Sequence, residues 1–512
     1  MLRRSAQRFP DKAAIIYRGP DRRACVSYRA LDESANSLAR ALLALGLDKG
    51  SKVAMLSRNL PEYGSVFFGV ARTGYVLNNV SVLYAPEELG WVLNKSDTQV
   101  LIFDAQFADK VAAVQKECPQ IRHFISIGEQ QAVANAVTFS GFIEGHEGTC
   151  AGVQLDERDA FCMTYTGGTT GRPKGVMMNH RARDITAHTV ALEERLTDSD
   201  VVAIVTPLFH VAALNIMFQP AMLVGATTVF VTPWSADGFM AAVEAEQVSA
   251  AFMVPTQANT LSTHPELESR KLASWNKLAF AGAPMPDWVQ KELMRRLPDL
   301  RLTQIYGQSE MGVIAALPPA YLPEKLGSVG RQPYNVDVAI LRPDGSPAAV
   351  GEMGEVASRG ENVMMGYCNE PEQTAQFFKL GNGWGLTGDV GVMDADGFIT
   401  LIDRAKDMLI SGGENVYPKE IEQVIYQLPE VAECAVFGIP DDKWGEVPAA
   451  YLLLKDGCTL DEATVVAQCE AKLARLKRPR LVKFVDSFPK TPIGKIQKNL
   501  LKEPYWQGRK KI

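Results

Sequence analysis

Apolar positions in the first 300 residues alternate between two spacings. From residue 28 to 45, Leu31, Ala35, Leu38, Leu42 and Leu45 recur at helical intervals, and the run stops at Gly46. This predicts an amphipathic helix closed by a glycine. Lys52-Val53-Ala54-Met55-Leu56 is a short apolar run of the kind that forms a buried strand. A helix is expected from Pro61 to about Ala71 and another strand over 99–104. The pattern resumes with strands at 201–205, 227–231, 250–254 and 277–281, with helical stretches between them. Such an order implies mostly parallel sheets covered by helices. Ligands in open α/β sheets bind beyond the carboxyl ends of strands, where this chain places His210, Thr256 and Gly282-Ala283-Pro284.

Residues 201–236 carry no charge, but Pro207, His210, Asn215, Gln219, Pro220 and Gly225 interrupt them. No run of about 18 apolar residues results, so a buried strand–helix–strand core is expected rather than a membrane span. Between 336 and 404 the chain turns to short strands and turns such as Pro343-Asp344-Gly345 and Asp394-Ala395-Asp396-Gly397, the pattern of a small β-rich subdomain. The last hundred residues read as a separate unit. They hold a helix, strands at 434–438 and 449–454, and a second helix opened by a capping box, Thr459-x-x-Glu462. Val465, Val466, Cys469, Leu473 and Leu476 form that helix's apolar stripe.

Composition narrows the class. At 512 residues the chain suggests two or more domains, and 46% hydrophobic with 22% charged residues is globular-enzyme composition. A formal charge of −6 gives no electrostatic basis for a nucleic-acid partner. The eight cysteines are scattered without a C-x-x-C pair, which argues against a disulfide framework or zinc site and for a reducing cytoplasm. The first ten residues lack the apolar core of a signal peptide.

The candidate chemistry centres on Thr164-Tyr165-Thr166-Gly167-Gly168-Thr169-Thr170-Gly171-Arg172-Pro173-Lys174-Gly175, which follows the strand-like Phe161-Cys162-Met163. Glycines let several backbone N–H groups converge on an anion, threonine hydroxyls add donors, and Lys174 adds charge. The stretch points to a nucleotide polyphosphate. It is not a strand-to-helix P-loop, because Pro173 precedes the lysine and the strand-like Val176-Met177-Met178 follows.

This string resembles the phosphate loop of the adenylate-forming enzymes: acyl-CoA synthetases, luciferases and peptide-synthetase adenylation domains. In the common form the second glycine of the Gly167-Gly168 pair is a serine. Four further segments match in the family's order, and the resemblance runs from about Phe9 to Leu501. By residue type alone, Glu310 in Tyr306-Gly307-Gln308-Ser309-Glu310 is as readily a surface acid, and Asp389 in Thr387-Gly388-Asp389 a turn residue. The resemblance implies that Glu310 ligates Mg²⁺, that Ser309 contacts phosphate or substrate carboxylate, and that Tyr306 and Gly282-Ala283-Pro284 flank adenine. It implies ribose contacts from Asp389 and Arg404, a hinge at Lys406, and backbone approach to the pantetheine arm at Gly412 and Gly413. It further implies that Lys495, in Pro489-Lys490-Thr491-Pro492-Ile493-Gly494-Lys495, is the mobile catalytic lysine. Thr166, Gly167, Thr169, Thr170 and Lys174 would hold the nucleotide, with Thr166 counted beside Lys495 and Glu310 in catalysis. His210, Ala213, Thr256 and Gly307 would line the acyl pocket.

The expected architecture is α/β. A large N-terminal domain of helix-covered, mostly parallel sheets (1–405, with 336–405 β-rich) precedes a small mobile C-terminal α/β domain (406–512). The expected reaction joins a fatty or aromatic monocarboxylic acid to coenzyme A through an acyl-AMP, using ATP and Mg²⁺; transfer to a carrier protein or other acceptor is the alternative. A monomer or homodimer is expected, with no nucleic acid and no transmembrane segment, and peripheral membrane contact is left open.

Overall fold

Among the described residues the alternating strands and helices fold into two eight-stranded sheets, a four-stranded sheet and a five-stranded sheet. The computed structural model describes residues 1–20, 22–166, 173–404, 407–412, 414–490 and 496–507, apart from the side chains of Arg404 and Asn415. The described chain packs as two compact units. One comprises Met1–Val338 with Ser358–Gly385, the other Ala339–Ala357 with Leu386–Ile512. The boundary expected at 405/406 falls inside the second.

In the first unit, one sheet runs in the order Gly312–Leu317, Arg301–Gln308, Lys277–Phe280, Ala250–Met253, Val201–Ile204, Thr227–Val231, Ala13–Arg18, Arg23–Ser27. Its six central strands are parallel and both edge strands antiparallel. The second sheet pairs Lys52–Leu56 in parallel with Val76–Asn79 and Thr98–Asp104. Its other limb carries Ala160–Thr166 and Lys174–Asn179 as an antiparallel pair. The glycine- and threonine-rich stretch therefore joins two hairpin strands rather than a strand and a helix. Near-continuous apolar runs produce these strands because both faces are covered.

The uncharged region 201–236 forms the strand Val201–Ile204, a π-helical segment Ala212–Phe218, the helix Gln219–Val224 and the strand Thr227–Val231, largely buried. Among the described residues no helix is long and apolar enough to cross a membrane.

The second unit holds the four-stranded sheet and, beyond it, the five-stranded one, in which Leu481–Phe484 pairs in parallel with Gly445–Leu454. Its core joins Ile421, Ile425, Val436, Leu452, Val465 and Cys469. The capping box expected at Thr459 is not formed. The helix is Glu462–Lys472, and Asp461 caps it by accepting the Thr464 N–H at 2.8 Å. The carboxylate sits immediately before the helical run, where N-cap acceptors belong. Leu476 lies past the helix end, in the short 3-10 turn Arg475–Lys477.

The amino ends of the parallel strands carry a buried charge cluster away from the loops at their carboxyl ends. Lys277 donates to both Asp200 oxygens at 2.7 Å, and Ser249 donates to Asp200 at 2.8 Å. Glu194 lies close by, and burial pushes its carboxyl up to about 7, with Thr303 and Lys277 opposing the shift. A folded pKa above the unfolded value means that burial costs nothing while the group is protonated. The cost grows as pH rises from 4.5 through about 7. Glu194→Gln, which resembles the protonated acid, is expected to stabilise the protein by up to roughly 3 kcal/mol at pH 8 and hardly at all at pH 5. Melting temperatures of both proteins at the two pH values check this; an equal gain at both would refute it.

Candidate active site

Four neighbouring parallel strands deliver the predicted residues to one edge of the first sheet. Val201–Ile204 leads to His210, Ala250–Met253 to Thr256, Lys277–Phe280 to Gly282, and Arg301–Gln308 to Ser309 and Glu310. Adjacent strands lie about 4.8 Å apart, so this row spans about 14 Å. That length suits an extended nucleotide-linked substrate. Gly282 takes φ +91°, a conformation that lets the chain turn off its strand, and Gly282, Ala283 and Pro284 are exposed. Tyr306 is buried and Thr256 exposed, the latter in the first turn of the helix Pro255–Ser262. His210 accepts the Ala212 N–H at Nδ1 over 3.2 Å, which assigns its ring proton to Nε2. Ala213 is buried in the π-helical segment. Single π turns inside helices are frequent at functional sites.

Ser309 and Glu310 sit in the tight connection of the hairpin formed by Arg301–Gln308 and Gly312–Leu317. The pairing register shifts between Tyr306 and Gly307, bringing the two backbones together. A Cβ on Gly307 would lie 2.1 Å from the Gly312 carbonyl oxygen, so the position admits only glycine without backbone movement. Gly307 was expected to line the acyl pocket; the structure gives its lack of a side chain this additional, local reason.

A segment that the sequence did not single out holds this turn. Met364 N–H donates to the Glu310 carbonyl at 2.7 Å, and the buried Asn362 amide donates to the Met311 carbonyl. Tyr367 O–H donates to the Glu310 carboxylate at 2.9 Å. The two-residue strand Gly366–Tyr367 pairs with Lys174–Asn179, and Cys368 N–H donates to the Gly175 carbonyl at 2.8 Å. Lys174 places its ammonium 5.1 Å from the centre of the Tyr367 ring, within cation–π range. Burial, reinforced by Glu310, pushes the Tyr367 phenol well above its ordinary range, so it stays a neutral donor. Lys174 and Glu310, 136 residues apart by number in the sequence, thus meet on one tyrosine. Thr166, the last residue of its strand, is paired opposite Lys174.

In the second unit, Asp389 is buried in the strand Gly385–Met393 and paired opposite Arg404. Its backbone N–H donates to Thr387 Oγ1 at 3.0 Å, and that hydroxyl donates to the Val356 carbonyl at 2.7 Å. The adjoining Asp403 carboxylate accepts the Lys419 N–H at 2.8 Å, while the Lys419 ammonium donates to the Leu401 carbonyl at 2.9 Å. Burial draws the Lys419 pKa down. Gly412, at φ +61°, donates its N–H to the Trp444 carbonyl at 2.8 Å. Gly167, Thr169, Thr170, Lys406, Gly413, Lys495 and the Arg404 side chain lie outside the described residues.

The donor set has a chemical bias. Among the described residues no three or more His, Cys, Asp or Glu side chains gather as a metal cluster. A single carboxylate such as Glu310 suits Mg²⁺, which is commonly held by one or two carboxylates, water and substrate phosphates. It does not suit zinc, which takes three or four protein ligands.

Comparison with known proteins gives the same direction. The AMP-binding enzyme model matches residues 2–368, and the AMP-binding enzyme C-terminal domain model matches residues 420–495. A feruloyl-CoA synthase of an Amycolatopsis species is 34% identical over 496 residues, covering 97% of this chain and 96% of its own. A long-chain-fatty-acid–CoA ligase of Mycobacterium tuberculosis is 33% identical over 508 residues, covering 99% and 98%. Among solved structures, an anthranilate CoA ligase in complex with anthranoyl-AMP aligns with a TM-score of 0.89 at 26% identity, covering 98% of this chain and 96% of that one. With family models matched over most of its length, and relatives above 30% identity along nearly all of it, the chain belongs to the AMP-binding, adenylate-forming family of enzymes.

Proposed function

We propose that the protein is an ATP-dependent acyl-CoA synthetase, an AMP-forming acid–thiol ligase, acting on a monocarboxylic acid with an apolar body. The observation that carries this reading is the meeting of Glu310 and Lys174 on Tyr367 at the end of the phosphate-loop hairpin. That arrangement gathers a hard oxygen ligand and an ammonium ion where a polyphosphate would lie.

In the first step a substrate carboxylate oxygen attacks the α-phosphorus of ATP and pyrophosphate leaves. Two anions must approach, and fixed positive charge lowers that cost. Thr166 and the loop residues Gly167, Thr169 and Thr170 would donate to the phosphates, with Lys174 and Lys495 adding charge. Mg²⁺ held by Glu310 would supply further charge neutralisation. Tyr306 and Gly282-Ala283-Pro284 would flank the adenine, and Asp389 and Arg404 would hold the ribose. In the second step the thiol sulfur of coenzyme A attacks the acyl carbon and AMP leaves. We assign that step to a rotation of residues 406–512 about Lys406, with Gly412 and Gly413 admitting the pantetheine arm. The separate match of residues 420–495 to a C-terminal domain model supports treating that part as its own body.

The stretches carrying His210, Ala213, Thr256 and Gly307 contain no arginine or lysine, which supports an acid without a second carboxylate. Relatives acting on feruloyl, long-chain fatty and anthranilate groups support an acid with a single carboxylate and a largely apolar body. The free state of all eight cysteines supports a cytoplasmic location. A monomer or homodimer completes the reading.

Pyrophosphate release over fatty, aryl and arylpropenoic acids, each with and without coenzyme A, tests it. One acid class is expected to release pyrophosphate faster with coenzyme A and to yield AMP and the thioester. Release indifferent to coenzyme A, or malonate and succinate outcompeting every monocarboxylate, would overturn it.

A further inference from the structure

We infer that Tyr367 is a positioning residue for adenylation: its hydroxyl aims the Glu310 carboxylate at the metal, and its ring holds the Lys174 ammonium apart from that carboxylate. The inference rests on the reading of Glu310 as the metal ligand and adds a residue to it.

Three observations combine. The Tyr367 O–H donates to one oxygen of Glu310 at 2.9 Å. A carboxylate has two oxygens and about four lone-pair sites, so committing one oxygen to a phenol fixes the rotation of the group and presents the other in a set direction. The Lys174 ammonium lies over the ring face, 5.1 Å from its centre. A direct ion pair between the ammonium and the carboxylate would withdraw both from the incoming phosphates. With the anion at the hydroxyl and the cation on the face, the tyrosine keeps both near one place and neither neutralised by the other.

The third observation is that the tyrosine is itself held. Its N–H donates to Thr374 Oγ1 at 2.9 Å. Phe377 packs edge-on against its ring, with centroids 6.2 Å apart. The Gly366–Tyr367 strand is tied into the sheet that carries Lys174. Backbone and ring are thus fixed to the strand that bears Lys174 and to the helix Pro371–Phe377, more than a phenol that merely needed a partner would require. Fixing a ligand's rotation through its neighbours is the usual task of residues just outside a metal's own ligands.

The test separates the hydroxyl from the ring. Tyr367→Phe keeps the ring under Lys174 and removes the donor; Tyr367→Leu removes both. Binding of Mn²⁺ to the full chain in the presence of α,β-methylene-ATP, followed by electron paramagnetic resonance, reads the metal directly. Binding of the same analogue in EDTA reads the nucleotide alone. A hydrogen bond to a charged group corresponds to about tenfold. Tyr367→Phe is therefore expected to weaken Mn²⁺ binding about tenfold and leave metal-free analogue binding unchanged. Tyr367→Leu should show the same metal defect and, in addition, weaken metal-free binding roughly threefold through loss of the cation–π contact. The melting temperature of Tyr367→Phe should match the parent. Tyr367→Phe binding Mn²⁺ within twofold of the parent, while Glu310→Gln loses it, would overturn the positioning role and leave the metal assignment standing. Glu310→Gln binding Mn²⁺ as the parent does would overturn the metal assignment itself, and this inference with it.

Discussion

Glu310→Gln is expected to slow acyl-AMP formation roughly 100- to 1,000-fold, the scale of losing one fixed electrostatic group in a reacting site. The substitution keeps the shape of the side chain. The Tyr367 hydroxyl can still donate to the amide oxygen, and the Met364 N–H still donates to the residue 310 carbonyl, because that bond is backbone to backbone. The turn should therefore keep its conformation, and only the negative charge is lost. A neutral amide oxygen is a much weaker ligand for a hard divalent cation than a carboxylate, so raising Mg²⁺ should recover part of the rate. Thiolysis of pre-formed acyl-AMP breaks no phosphoanhydride and should be little affected. Pyrophosphate release at graded Mg²⁺, together with single-turnover thiolysis, measures both limbs. A loss under tenfold at ordinary Mg²⁺, or equal losses in the two steps, would contradict the role given to this carboxylate.

Glu310 is singled out by the resemblance of its segment, whereas Tyr367 stands in no pattern that local spacing displays. Local pattern is legible where a residue's fate is decided by its neighbours in the chain. The strands Lys52–Leu56 and Thr227–Val231 fall on the runs read from hydropathy alone, because an uninterrupted apolar run in a covered parallel sheet has few alternatives. The strands flanking the glycine- and threonine-rich stretch fall on the strand-like residues read on both sides of it. Tyr367 lies in a two-residue strand with no period to detect, and its meaning comes from pairing with residues 176–177 far earlier in the chain. The π-helical turn at Ala212–Phe218 is hidden for a similar reason. Helical and π-helical periods differ by less than one residue per turn, and a uniformly apolar segment marks neither. The misplaced cap at Thr459 shows the reverse case. A local signal was present, and a better acceptor two residues on, Asp461, took the helix N–H.

Gly307→Ala is expected to reduce adenylation about 100-fold while leaving the far-ultraviolet circular dichroism unchanged. The new methyl would stand 2.1 Å from the Gly312 carbonyl oxygen and 3.0 Å from its carbon, contacts made by backbone rather than by a flexible side chain. No rotamer change can relieve them, so the two hairpin strands must separate near the register shift between Tyr306 and Gly307. That shift lies three residues before Glu310. Opening the strands there displaces the turn and strains the Asn362, Met364 and Tyr367 bonds that hold it. Displacement of a reacting group by about 1 Å costs on the order of 100-fold even without loss of any functional atom. The distinction from Glu310→Gln is diagnostic. Gly307→Ala misplaces an intact carboxylate, so raising Mg²⁺ should not recover its rate, whereas the glutamine variant should respond. Recovery of Gly307→Ala by Mg²⁺, or a loss below threefold, would show that the hairpin tolerates the methyl and that this glycine does not set the position of the carboxylate.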